Sequence, residues 1–364
     1  MEVEEQNSFD ILLLHPKSLM SRYIFRRFLQ GIPLLFIISI VLFVLMMNMG
    51  DPVATMGGRT LTRPEDRLRL TRQLGLDKPI YIQYIYWLVG NDWTKVDLNG
   101  DGIPDTPGTR HGILRGDFGT SLVNRGVPVL QVISERLPNT LLLMVASEVV
   151  VILGALLVGI YSAIRQYSAL DHIITAILFI GYSMPIFFVA LLSMYIFSVL
   201  FKRWGLPYLP TVGMFDPNVG KTFGQVALHM ILPVLTMSFV SFASYSRYIR
   251  STMLEVMSQD YIRTAKAKGL PRLTVLFIHA LKNASLPIVT IVGLDLPFLL
   301  GGAVVTERIF AWPGTGRLFL DHVTRSDLPV VMGILMLIAF AVVVFQIITD
   351  IIYAWLDPRI RLDA

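Results

Sequence analysis

Residues 96–107, VDLNGDGIPDTP, space oxygen-bearing side chains as D-x-N-x-D-G, the pattern by which a tight loop wraps a calcium ion. Counted as such a loop, Asp97, Asn99 and Asp101 take positions one, three and five. Gly102 makes the sharp turn, Ile103 offers its backbone carbonyl and Asp105 falls at position nine. Position twelve, where a bidentate Glu is needed, is Gly108, so Asp92 or Asp117 would have to complete the set. The same residues also build a solvated Asn-Gly/Asp-Gly turn without any ion. Calcium and plain turn are both compatible with the sequence, and a site of this outer-surface kind would bind at about 10⁻⁴–10⁻³ M.

Other patterns that could do chemistry are weaker. GMFDPNVGKT, residues 213–222, ends like a phosphate-binding loop, but G-x4-G-K-[ST] needs a glycine where Phe215 stands. ATP hydrolysis therefore has no site in this motif. His15, His111, His172, His229, His279 and His322 are scattered and form no metalloprotease pattern. No catalytic residue is assigned, and with no cysteine there is no disulfide or thiolate chemistry. Two acids, Glu148 and Asp295, lie inside apolar runs. At mid-bilayer each would cost about 2.5–3.5 kcal/mol unless it faced the bundle or a watery cavity. They either line a pathway or lock helices together.

The elements that must position these residues are membrane spans. The 364-residue chain is 54% hydrophobic and 16% charged, against roughly 25% charged in soluble domains, with a mean hydropathy of +0.62. An all-α membrane protein is expected, with transmembrane helices at about 32–49, 139–164, 172–201, 226–246, 284–304 and 329–356. Pro185 is the expected kink point of the third, and Ala155 and Gly159 suit close helix packing.

Arg22, Arg26 and Arg27 precede the first span and place the N-terminus in the cytoplasm. Alternation then assigns 247–283 to a basic cytoplasmic loop carrying Arg247, Arg250, Arg263, Lys266, Lys268, Arg272 and Lys282. The tail, with Arg359 and Arg361, is cytoplasmic too. The net charge of +5 is explained by these loops, so nucleic acid is not expected as a partner. Residues 1–20 form an N-terminal cytoplasmic extension, 21–49 the first span with its basic flank, and 50–138 an outer loop. Residues 139–356 form the core, with an outer loop at 305–328, and 357–364 the tail. Within the first outer loop, a helix is expected from a Thr62–Glu65 capping box to Gly75. An aromatic helix over PIYIQYIYWLVG, suited to a membrane interface, should follow it.

EVMSQDYIRTAKAKGLPRLTVLFIHALKNASLP, residues 255–287, reads as helix, stop, helix. The first helix reaches about Lys268, Gly269 caps it in the left-handed conformation, and Pro271 prevents continuation. A short helix laid crosswise between two spans can pass force into them. Ala265 and Ala267 would keep its outer surface low for a partner. TERIFAWPGTGRL, residues 306–318, follows the fifth span; Pro313, Gly314 and Gly316 break the helix, and Phe310 and Trp312 suit the interface.

In this setting the 255–287 loop resembles the cytoplasmic EAA loop of bacterial ABC-transporter permeases, and the surrounding chain resembles their oligopeptide/dipeptide subgroup. SRYIFRRFLQGIP, QLGLDKPIYIQYIYWL, GDFGTSL, ERLPNTLLL, DYIRTAKAKGL, HALKNASLPIV, ERIFAWPGTGRL, RSDLPVVMG and LDPRIR carry the likeness in order from residue 21 to the end. Residues 91–113 look like an addition to the family core, and Arg263-Thr264-Ala265 stands where the wider family has Glu-Ala-Ala. The resemblance implies a six-helix permease subunit in a bacterial or archaeal cytoplasmic membrane. Its implied partners are a homologous permease, two cytoplasmic ATPases that bind ATP and magnesium, an extracytoplasmic solute-binding protein and the bilayer. It implies ATPase coupling through Glu255, Asp260, Tyr261, Arg263, Thr264, Ala265, Lys266, Ala267, Lys268 and Gly269. Phe310, Trp312, Pro313 and Gly314 would then sit at the outer gate, with Glu148 and Asp295 beside the pathway. Relatives of this architecture carry peptides, oligosaccharides or nickel. An ATP-independent carrier or channel is the competing class, though no internal repeat is visible.

Overall fold

The computed structural model describes residues 16–48, 64–73, 75–98, 100–124 and 126–356. Most of the N-terminal extension, Thr62 of the expected capping box, Asn99 of the acidic turn and the tail from residue 357 lie outside the described residues.

Helix α1, Pro16–Asn48, is apolar on all sides over its C-terminal half and packs against the last helix of the chain. Arg27 Nε holds Asp350 Oδ2 of that last helix at 2.6 Å. The first outer loop folds as α2, Pro64–Gln73, and α3, Ile80–Leu88, with Gly75 in the left-handed region (φ 69°) between them, as the sequence requires. Part of the aromatic face of α3 is packed against α1, while Tyr81 is exposed. Tyr84 and Trp87 pack on Phe43 of α1 with centroids 5.4 and 5.5 Å away, and the Tyr84 hydroxyl meets Ser39 Oγ at 2.7 Å. A two-residue antiparallel pair follows, β1 (Lys95–Val96) with β2 (Thr106–Pro107), closing the acidic turn.

Helix α4, Val129–Ser134, leads into α5, Leu137–Ile164. The expected third span is two helices: α6, Ala169–Ser183, and α7, Ile186–Met194, which continues through a π-helical turn to Arg203. Met184 and Pro185 between them are extended (ψ 131° and 139°), so the expected kink is a break. Pro185 has no N–H and forbids the helical conformation of Met184, which separates the two helices.

Helix α8, Phe223–Met257, is far longer than the expected 226–246. Its last turns convert the first part of the expected cytoplasmic loop into helix. After two residues comes α9, Asp260–Ala267. The chain then stays helical from Arg272, through a π-helical stretch Val275–Leu281, into α10, Lys282–Ile309. Helices α11, Thr315–Val323, and α12, Leu328–Leu356, complete the order.

Among the described residues five helices are long and apolar enough to cross a membrane, or six if the bent stretch Arg272–Leu296 counts as one. Helices α5 and α8 share the most extensive interface, and glycines let their backbones approach. A Cβ on Gly159 would lie 2.6 Å from Ile249 Cγ2, and one on Gly154 2.6 Å from the Phe242 ring. A Cβ on Gly181 of α6 would lie 2.8 Å from the Phe239 ring of α8.

Candidate functional site

The short helix expected before Gly269 exists as α9, with one face turned inward. Ile262 and Ala265, spaced i,i+3, are buried, while Tyr261, Arg263, Thr264, Lys266, Ala267, Lys268 and Gly269 are exposed. Ile262 and Ala265 join one apolar core with Val151 and Ala155 of α5, Ile249 and Met253 of α8, and Val275, Ala280 and Ala284 beyond the stop. Ala265 thus packs inward and is not part of a low outer surface; Ala267 is. Glu255 is exposed on the end of α8, outside the crosswise helix. The stop follows the sequence closely: Gly269 has φ 74°, its N–H bonds Lys266 O at 3.0 Å, and Leu270 N–H bonds Ala265 O at 3.3 Å, which together make a Schellman cap. Asp260 in the first turn and Lys266 in the last suit the helix dipole. The Asp260–Arg263 pair, 3.6 Å apart with both side chains largely exposed, adds little. Asn283 Nδ2 donates to the Tyr261 hydroxyl at 3.2 Å and ties α9 to α10.

On the opposite side, the TERIFAWPGTGRL loop is bolted to the start of α5 by an acid that sequence inspection passed over. Glu307, wholly buried, accepts from Thr140 Oγ1 at 2.7 Å and from Arg317 N–H at 2.8 Å. Thr140 Oγ1 in turn accepts from Thr315 N–H at 2.7 Å, so side chains satisfy the first backbone donors of α11. Gly314 leaves the room: a Cβ there would stand 2.2 Å from Glu307 Oε1. Trp312 donates its indole N–H to Asn139 O, and Asn139 Nδ2 donates to Pro313 O, both at 2.9 Å. Phe310 and Trp312 are buried in the subunit, so they anchor the loop and do not lie at a membrane interface. An acid just ahead of a Pro-Gly-Thr-Gly break was the available signal.

A second unforeseen acid joins the outer loops. Asp327 is fully buried and accepts from Ser121 Oγ at 2.5 Å and from the N–H groups of Leu122 and Val123, each at 3.1 Å. His322 Nδ1 lies 2.9 Å from Asp327 Oδ2. Burial pushes the Asp327 carboxyl up, but these hydrogen bonds outweigh it and hold the group below its ordinary range. GDFGTSL and RSDLP are therefore two halves of one clamp.

The two acids expected within spans meet on a third residue. Tyr245 of α8, itself buried, donates to Glu148 Oε1 at 3.0 Å and lies close enough to Asp295 of α10 to interact with it electrostatically. Glu148 is buried too, and Asp295 is half-buried. The tyrosine thus links three spans, which is the locking arrangement for Glu148, while Asp295 keeps a partly open side.

The acidic turn is closed by its own backbone. Asp97 accepts from Gly100 N–H at 2.6 Å and Gly102 N–H at 2.9 Å, and Asp101 from Ile103 N–H at 2.8 Å. The Gly100 bond leads in holding the half-buried Asp97 carboxyl low. Asp105 accepts from Thr106 Oγ1 at 3.0 Å. Asp92 is taken by Arg115, at 2.5 and 2.7 Å, and Asp117 by the N–H groups of His111 and Gly119, so neither completes a calcium set. Among the described residues no three acids or histidines gather as metal ligands. These contacts describe a hydrogen-bonded turn, and Asn99 of the expected calcium set lies outside the described residues. The Gly-Lys-Thr segment is likewise structural, Thr222 capping α8 by accepting from Gln225 N–H at 3.3 Å.

Comparison with known proteins agrees with this arrangement. Residues 155–362 match the family described as binding-protein-dependent transport system inner membrane component, and residues 20–144 match its N-terminal companion. The oligopeptide transport system permease protein AppB of Bacillus subtilis (strain 168) is 41% identical over 343 residues, covering 94% of this chain and 100% of that protein. The dipeptide transport system permease protein DppB of Escherichia coli (strain K12) is 34% identical over 362 residues, covering 94% and 99%. The fold is similar to that of the MetNI methionine ABC transporter in inward-facing conformations, with a TM-score of 0.50 and 16% identity over 63% of this chain and 97% of that one. Carrying the family along most of its length, with apolar spans to match, the chain belongs to the multi-pass inner-membrane permease components of binding-protein-dependent ABC transporters.

Proposed function

We propose that this chain is one of two permease subunits of an ATP-driven importer and forms half of a pathway for peptides. An extracytoplasmic solute-binding protein delivers the peptide, and the 255–272 segment takes force from a cytoplasmic ATPase. The observation that carries the proposal is the shared core of α9 with α5, α8 and α10, because a push on α9 cannot be absorbed locally. The exposed Arg263, Lys266 and Lys268 suit an acidic docking surface. Both termini and α9 lie in the cytoplasm, an orientation supported by the basic residues around α1 and from 247 to 282. The clamped outer loops face the binding protein. Peptides are favoured as cargo because AppB and DppB are named for oligopeptide and dipeptide transport.

Alternating access then follows from ordinary coupling. ATP-bound ATPases close, α9 moves with them, and the spans to which it is welded open outward; hydrolysis reverses the motion. Vesicles holding this chain, its second permease, ATPases and binding protein should take up labelled peptide only with ATP inside the ATPase compartment. Uptake that persists without ATP would sink the proposal in favour of a carrier. Mass spectrometry of the ligand held by the binding protein separates peptide from oligosaccharide or nickel cargo.

A further inference from the structure

A cavity of about 590 Å³ opens between α5, α6 and α8 on the α9 side of the subunit. Its walls are graded. Ser162, Thr175, Arg247 and Arg250 occupy the end nearest α9, while Val158, Phe179 and Ala243 lie further along the same helices, toward the membrane centre. The polar end holds donors and acceptors with nothing to bond. Ser246 is 1% exposed and its Oγ has no partner. Arg250 gives Nη2 to Asp171 at 2.8 Å, but its buried Nε is unpartnered, as is Asp171 Oδ1. Arg247 is exposed beside them, with no acid paired to it among the described residues. Buried polar groups left this way cost free energy unless a ligand satisfies them.

We propose that this cavity is a binding site for an anionic phospholipid of the cytoplasmic leaflet, an inference that rests on the orientation given above. The headgroup phosphate pairs with the exposed Arg247, a small side-chain shift brings Arg250 Nε and Ser246 Oγ to it, and an acyl chain runs inward along Leu178, Phe179 and Val158. The depth agrees with a headgroup, since Arg250 pairs with Asp171 in the first turn of α6, immediately after the short connection from α5. The inner end also carries the hydroxyls of Tyr182 and Ser244, but both charged lining residues, Arg247 and Arg250, are at the end nearest α9, which favours an amphiphile with an anionic head. By tying α6 to α8 just before α8 meets α9, the lipid stiffens the segment that carries force.

The test uses the full chain in detergent micelles and a phosphatidylglycerol bearing a photoreactive group in its acyl chain. Crosslinks should map to 175–182 and 243–251, and unlabelled phosphatidylglycerol should compete while phosphatidylcholine and inorganic phosphate should not. Arg247→Gln should weaken retention about five-fold, the factor for one basic residue at an anionic surface. Arg250→Gln strands the buried Asp171 and can fail to fold, so Thr175→Phe, which fills the cavity, is the second variant and should abolish the crosslink. Crosslinks spread over all spans, retention unchanged in both Arg247→Gln and Thr175→Phe, or displacement by a dipeptide would each overturn the proposal. Because the chain has no cysteine, Lys268→Cys reports orientation separately. Labelling of that thiol from outside would remove the cytoplasmic assignment and with it the leaflet, whatever the crosslinks show.

Discussion

Glu307 and Asp327 show how single buried carboxylates can organise a membrane subunit's wet end. Each is wholly buried, each accepts backbone N–H groups from a loop, and each is reached from a distant part of the chain. Gly314→Ala should disturb the first. The backbone there is extended and tolerates any residue, so the cost is space, a Cβ forced against Glu307, typically about 1–3 kcal/mol. Peptide uptake should fall while membrane insertion, followed by immunoblotting, stays normal. Asp327→Asn removes the charged acceptor from four donors and should cost about 1.5–3 kcal/mol, read as a lower unfolding temperature of the purified chain. The sign of its pH dependence follows from a lowered carboxyl. The stabilisation is complete above the unfolded value near 3.9 and is lost only as pH falls through the lower folded value. Protease protection of the 113–128 loop should therefore hold constant from about pH 7 to about pH 5; a progressive loss within that window would show that Asp327 is not held ionised.

At the scale of elements, α9 is the test of what composition can and cannot reveal. Its stop was legible because Gly269 and Pro271 act through local backbone conformation, and the Schellman bonds form where those residues put them. Which face it buries was not legible. Eight residues give little more than two turns, and only packing against α8 and α10 selects Ile262 and Ala265. The length of α8 was missed for a related reason, since its last three turns alternate polar residues with Ile249, Met253 and Val256 and stay helical by packing these on the same core. Pro185 was identified, but its consequence depends on Met184 being unable to stay helical. Ile262→Ala removes a fully buried side chain and should cost about 2–5 kcal/mol of local packing. The expected phenotype is specific: ATP hydrolysis by the assembled transporter continues, and peptide moved per ATP falls. A parallel loss of both would mean that α9 holds the assembly together instead of conveying motion.

For the molecule as a whole, the acidic turn carries both readings of its pattern. D-x-N-x-D-G signals calcium, and the described part of the turn is also closed by its own backbone, Asp97 and Asp101 accepting from Gly100, Gly102 and Ile103, with Asp92 held by Arg115. Millimolar calcium should leave protease resistance of the 91–113 segment unchanged, and Asp101→Ala should loosen the turn equally with or without the ion. Calcium-dependent protection lost in Asp101→Ala would restore the metal. Among the family motifs, GDFGTSL with RSDLPVVMG and ERLPNTLLL with ERIFAWPGTGRL encode contacts that the fold brings together, while LDPRIR lies almost wholly outside the described residues.

Helix α8 has a mechanical consequence. Its 35 residues make a rod of about 52 Å, with its outer end near the clamped loops and its inner end at α9. Near its midpoint Phe239 and Phe242 are gripped by Gly181 and Gly154 from two sides, with no space for even one added methyl group. A bar pinned at its centre is a seesaw: rotating it by about 5° carries the two ends about 2 Å in opposite directions. Such a tilt would give the proposed alternation between the two sides a pivot, set by where two glycines hold two phenyl rings.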